Sequence, residues 1–417
     1  MTADCQHAPP NPQLSHLLAT GWASPKDPPS ILRHAFAAGF TILSLFSWGC
    51  AGADDRSGEV VHRDSAGVTL ALNNHRDVML DWTLEPIIDM GGAQEGPSAF
   101  FRVFETSVGA DSSGNLYVLD AGNYRVSVFD RAGRHLRSFG RQGEGPGELT
   151  FPSDMAVTPA GEVAVYDFGR RALVHFDRNG SFTGTFPLPG PLQRKVVLLE
   201  GARIAAAVTL PAATADSTDF ALLAFGDDTV EVARIRQISQ PQPQQFSCMT
   251  LALPPYFQPR IEWASAGDRI VLSMDGSYSI HVFDSNRLSA IWKRDLPLIP
   301  ATLDLAAWEV ASGDSLRFRG CAVPAHEAAR QFGYADVAPI VDRLAVLTDG
   351  GVWLRRRTET PGEFLIDVLD ATGAYVGSLP GDAPFPALFR GTEEFVVVEK
   401  DDFDVPHVVV YRIGGRS

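Results

Sequence analysis

Two stretches of this chain superimpose without a gap. "GNLYVLD" at 114–120 matches "GEVAVYD" at 161–167, and "VFDRAG" at 128–133 matches "HFDRNG" at 175–180. Both offsets are 47 residues. Self-similarity at this period marks a repeat architecture whose units cannot stand alone. One unit can be read residue by residue. "TSVGAD" predicts a short strand and "DSSGN" a turn in which glycine takes a positive φ. "LYVLD" alternates as a half-buried strand does, "AGNY" turns again, "RVSVFD" is a third strand, and "RHLRSFG" a fourth. Four short antiparallel strands cannot hide both faces of their sheet. Stacking such sheets radially covers the faces and shelters the edges.

The stretch "FGRQGEGPGEL" at 139–149 holds four glycines and a proline in eleven positions, which suits neither helix nor strand. After an outer strand the chain must cross back to the centre, and a sharp, weakly sided loop serves that purpose. A cousin, "GGAQEGPSAF" at 91–100, is expected at the preceding junction.

Later units are worn but legible at 200–228, 266–286, 348–379 and 391–415, giving six units counted from Phe104. The last is short of its outer strand on this count; "EVVHRDSAGVTLALN" at 59–73 is the N-terminal piece expected to close the ring by joining it. Between about 297 and 336 the repeat stops. "PATLDLAAWEVASG" and "PAHEAARQFG" carry the Pro starts and Gly ends of short helices. "QISQPQPQQF" at 237–246 predicts a flexible loop.

The unit "DSSGNLYVLDAGNYRVSVFDRAGRHLRSFG" resembles an NHL repeat, the unit of six-bladed propellers. With "RDSAGV" at 63–68, "GEGPGEL" and "DGGVWL", the chain is similar to bacterial six-bladed β-propeller lipoproteins with a "GxGPGEF" crossover. The expected fold is all-β: a six-bladed β-propeller of four-stranded antiparallel blades over 58–415, with a short helical insertion at about 297–336. The resemblance implies fold and address, not chemistry, since members of that group are largely of unknown function.

The N-terminus reads as a leader and lipoprotein-type signal, 1–50, with a tether at 51–57. Arg33 and His34 precede "AFAAGFTILSLFSW", an apolar run shorter than the ~20 residues that span a bilayer. "SWGCAGADD" resembles a bacterial lipoprotein signal, which implies a diacylglycerol on Cys50; ordinary secretion and an uncleaved anchor are the alternatives. Residues 1–30 hold six prolines and no apolar run, and synthesis is expected to begin near Leu32. The expected address is periplasmic or the outer surface of the envelope. Cys5 lies in the leader, which leaves Cys248 and Cys321. Two cysteines in an exported chain suggest a disulfide, with two buried thiols as the alternative.

The net charge of −15 falls wholly on residues 51–417, because Lys26 and Arg33 cancel Asp4 and Asp27. Such a surface repels nucleic acid. Seven histidines follow Cys50, at 62, 75, 135, 175, 281, 326 and 407, without close metal-ligand spacing. No catalytic residue, cofactor or metal ligand is therefore assigned. Asp120 and Asp167, like Asp130 and Asp177, recur at equal repeat positions and are read as turn caps. Arg125, Arg141, Arg170 and Arg171 sit beside loops sharing one face, where they could hold a carboxylate or sulfate, or pair with surface acids. Trp82 and Trp353 are read as blade packing. The expected function is binding or scaffolding of an envelope protein, peptide or glycan by a monomer; the alternative is a metal-dependent hydrolase or lyase, lactonase-like, working in the central channel.

Overall fold

The computed structural model describes residues 60–65, 67–92, 95–199, 203–211, 217–225, 228–238, 243–312, 317–318 and 321–416. The leader, the tether and Cys50 lie outside them. Within the described residues, short strands assemble into nine sheets, three of them two-stranded and the other six, in chain order, the blades. Blade 1 pairs Val108–Ala110, Leu116–Asp120, Arg125–Phe129 and His135–Phe139. Blade 2 pairs Pro152–Val157, Val163–Asp167, Ala172–Phe176 and Phe182–Pro187. Blade 3 runs from Leu192–Leu198 out to Thr229–Ile238, blade 4 from Glu262–Ala266 to Arg287–Arg294, and blade 5 from Val341–Val346 to Tyr375–Pro380. Blade 6 begins with the two-residue strand Leu388–Phe389.

The strand Leu116–Asp120 is buried at all five positions, not at alternate ones. Its alternation sorts residues between two neighbours. Leu116 and Val118 pack with Val396, Val408 and Val410 of blade 6, while Tyr117 and Leu119 pack with Met155, Val163 and Val165 of blade 2. A similar apolar cluster fills every junction between successive blades. Each fully buried Val, Leu or Phe side chain contributes about 1.5–3 kcal/mol, so blades hold one another in place. The tryptophans serve this purpose: Trp263, Trp292 and Trp353 are fully buried, and Trp82 lies 6.1 Å from Trp353.

The ring closes on a strand other than the expected one. Blade 6 takes Thr83–Gly91 as its outer strand, antiparallel to Pro406–Gly414. Pro86 stands where the register shifts, and at the outer edge its missing N–H breaks no ladder. The piece at 59–73 instead forms a hairpin, Val61–Ser65 with Val68–Asn73, whose second strand adds in parallel to Arg287–Arg294 of blade 4. That sheet therefore has six strands.

Helices α1 (Leu303–Ser312) and α2 (Ala325–Phe332) interrupt the passage from blade 4 to blade 5. They pack on each other and on Phe246, Leu253 and Tyr256 from the passage between blades 3 and 4. The segment expected as a flexible loop is partly ordered for this reason: Gln244–Gln245 pairs with Thr250–Leu251, and Phe246 is buried. Cys248, in the turn between them, is disulfide-bonded. The Cys321 side chain lies outside the described residues.

Candidate functional site

The glycine-rich crossover is held by two side chains from the next blade. Asp167, fully buried at the end of a second strand, accepts hydrogen bonds from the N–H groups of Thr150 (2.6 Å) and Phe151 (3.0 Å) and the Thr150 hydroxyl (2.6 Å). Arg170 donates to the carbonyls of Gly143 (3.1 Å) and Gly145 (3.3 Å). Gly147 has φ +73°, and a Cβ there would lie 2.9 Å from that of Phe182, so only glycine fits. The earlier crossover is clamped the same way. Asp120 accepts from the N–H groups of Phe101 (3.1 Å) and Arg102 (3.0 Å), and Arg125 donates to the carbonyls of Gly96 (3.0 Å) and Ala99 (3.1 Å). Asp130 and Asp177 cap the turns between third and fourth strands, each accepting two backbone N–H bonds.

The four arginines singled out in the sequence thus divide. Arg125 and Arg170 brace loops. Arg141 pairs with Glu148 at 2.7 Å and is largely exposed, and Arg171 is exposed in a turn at φ +52°. All four belong to the face of crossovers and second-to-third-strand turns, and none lines the central cavity.

That cavity, about 1470 Å³, follows the inner strands of the blades. Its far end is framed by turns between first and second strands, including those at Asp111, Pro159 and Asp268. At the crossover end four blades contribute a different polar residue at the same register position of the inner strand, Asp154, Lys195, Glu262 and Arg343 from blades 2 to 5, and Thr106 joins them from the turn that precedes the inner strand of blade 1. The following positions are small or aliphatic, such as Ala156, Val197, Ala264 and Leu344. The channel therefore has a polar ring at one end and a more apolar wall beyond it.

Asp154 accepts a hydrogen bond from the Val196 N–H at 3.1 Å and another from the Thr106 hydroxyl. Burial pushes its carboxyl up to about 8 despite these donors and the Lys195 charge, so it holds its proton at neutral pH. The Lys195 ammonium lies 5.6 Å over the Trp263 ring. Arg260 donates to the Asp342 carboxylate at 3.0 Å and Arg355 at 2.7 Å. Burial raises the Asp342 carboxyl, but the charges of Arg355 and Arg260 outweigh it and hold the group below its usual range. Arg343 lies 4.6 Å over the Phe385 ring of blade 6 and pairs with Glu105 of blade 1. None of the seven histidines lines the cavity, and among the described residues no group of three His, Cys, Asp or Glu is placed to hold a metal. The ring escaped the sequence reading because its members lie some tens of residues apart, one to a strand. Aligning "SDMAV", "RKVVL", "IEWAS" and "DRLAV" would have revealed it.

A family model described as "6-bladed beta-propeller" matches residues 110–200. The chain is a six-bladed β-propeller with NHL-like repeats. The human E3 ubiquitin-protein ligase NHLRC1 is 32% identical over 81 residues, 18% of this chain. This propeller spans only 20% of that relative's length. Among solved structures, a Bacteroides fragilis protein inferred to be exported is similar over 82% of this chain and 99% of its own, at 14% identity and a TM-score of 0.50. A gluconolactonase of Xanthomonas campestris covers 74% of this chain and 85% of its own, at 13% identity and a TM-score of 0.34. These structural likenesses concern the fold alone.

Proposed function

We propose that this propeller is a binding module of the cell envelope, exported and held there by a lipid on Cys50. One observation carries the reading: equivalent positions on four successive blades supply four different polar side chains, Asp154, Lys195, Glu262 and Arg343, to one end of a cavity of about 1470 Å³. Radial repeats use equal residues to build and unequal ones to recognise, because a ligand in the channel meets every blade from a different side. Export has its own support. Cys248 is in a disulfide, and such bonds persist in oxidising compartments. Its partner in this reading is Cys321, which ties the 244–251 hairpin to the helical insertion. The lipid is the proposed means of attachment; among the described residues no helix is long and apolar enough to cross a membrane.

The test is affinity capture from the native envelope, using full-length protein with Cys50 intact and a variant with the ring altered at Lys195 and Arg343. A protein, peptide or glycan retained by the first and lost by the second supports the reading. Equal retention by both, or none by either, contradicts it. Metal analysis of the purified protein addresses the hydrolase or lyase alternative, which requires a stoichiometric divalent ion.

A further inference from the structure

The ion pair Arg343–Glu105 differs from the other arginine pairs around the ring. At the same end Arg260 and Arg355 share Asp342, which is 8% exposed, and at the far end Arg390 holds Glu394, also 8% exposed. Those acids are fixed in the wall and their arginines are committed to them. Glu105 instead rides on a single 3-10 turn, Glu105–Ser107, and its side chain is 52% exposed. It reaches from blade 1 to blade 5, past a blade 6 whose inner strand is only two residues long. A pair that is half in water is weakly held, because solvent screens it and a long side chain must be ordered.

Arg343 is better organised than its partner. Its guanidinium lies on the Phe385 ring at 4.6 Å, and its side chain is 22% exposed. A stacked guanidinium keeps its planar fork aimed outward, the geometry that grips a carboxylate through two hydrogen bonds. Lys195 lines the same cavity and adds a second positive charge. Asp154 lines it too and, as a neutral acid, adds a donor; the opposing charges at this end are Glu262 and Asp342, the second already paired with Arg260 and Arg355. Beyond the ring the wall turns apolar, at Val108, Ala156, Leu344, Val346 and Ala387.

We propose that the channel binds a carboxylate ligand with an apolar body, the carboxylate replacing Glu105 on Arg343. Glu105 is then an internal stand-in that occupies the site until the ligand arrives, and the apolar wall takes the body. This inference rests on the binding-module reading and names the ligand class for its channel.

Octanoate is the probe, titrated calorimetrically into the full-length protein, with octanol and octylamine as controls of equal length. Octanoate is expected to bind at least about tenfold more tightly than either control, the equivalent of one charge-assisted interaction. Arg343→Gln should weaken octanoate about tenfold or more, and Glu105→Gln should strengthen it several-fold by removing the competitor. Thermal unfolding of both variants verifies that they fold; Arg343→Lys, which keeps the charge but loses the fork, should recover only part of the affinity. Equal binding of the three probes, octanoate affinity unmoved by Arg343→Gln, or weakening by Glu105→Gln would each overturn the proposal. Failure of octanoate while envelope capture still depends on Lys195 and Arg343 would reject this ligand class and leave the binding-module reading standing. Failure of both would reject both.

Discussion

At the crossover face, blades 1 and 2 repeat themselves: Asp120 and Asp167 each catch the backbone of an arriving loop, and Arg125 and Arg170 each grip two of its carbonyls. Along the channel successive blades part company at one register position, with Asp154 on blade 2, Lys195 on blade 3, Glu262 on blade 4 and Arg343 on blade 5. Every blade faces the same problem at the crossover, returning the chain to the axis, so one solution serves twice. At the axis each blade meets a different sector of whatever fills the channel. Recurrence therefore marks construction, and on the proposed reading divergence at equal positions marks recognition.

The largest effect that bears on this contrast comes from blade 5, which anchors its neighbours with the charges reversed. Asp367 is fully buried and accepts from Arg294 (2.6 Å), Arg356 (3.0 Å) and Ser378 (2.6 Å). Asp367→Ala removes the buried partner of two buried guanidinium groups and leaves them only the part-exposed Asp77 as an acidic partner; it should cost about 3 kcal/mol or more in urea unfolding. Next is Asp167→Ala, which strands several N–H groups of the crossover. A loss of about 2–3 kcal/mol is expected, with amide exchange quickening at Thr150 and Phe151. Little loss there would break the claim that the recurring acids build.

An effect of comparable size, read as a slope with pH, comes from the ring. The folded-state value of Asp154 is raised to about 8 from 3.8, so between these limits the native state binds more protons than the unfolded state. Stability should fall as pH rises through that window, by up to about 1.4 kcal/mol per pH unit from this group. Asp154→Asn should flatten that slope in unfolding curves taken at pH 5, 6.5 and 8. The smallest effect is Arg141→Ala. This exposed pair with Glu148 should change stability by less than about 0.5 kcal/mol.

Much of the fold was legible because its signal is local and repeated. The strand motifs, the turn aspartates and the glycine crossover each lie within a dozen residues, and the motifs recur at an offset of 47 residues. Ring closure was harder to read. Thr83–Gly91 carries Pro86 and reads poorly as a strand, whereas 59–73 alternates well; yet Pro86 is tolerated at an outer edge and bulge, and the better-looking hairpin went to blade 4. The candidate site was the least legible part. Arg125 and Arg170 stood out by clustering near loops, and that clustering serves the loops. Arg343 and Glu105 are 238 residues apart and meet only when the ring closes.

The central claim is that equal residues build and unequal ones bind. It is tested most directly by urea unfolding of two double variants, Asp120→Ala with Asp167→Ala and Lys195→Met with Arg343→Gln. The first pair should lose at least about 3 kcal/mol and the second less than about 1 kcal/mol. Equal losses, or a larger loss from the ring, would contradict the account.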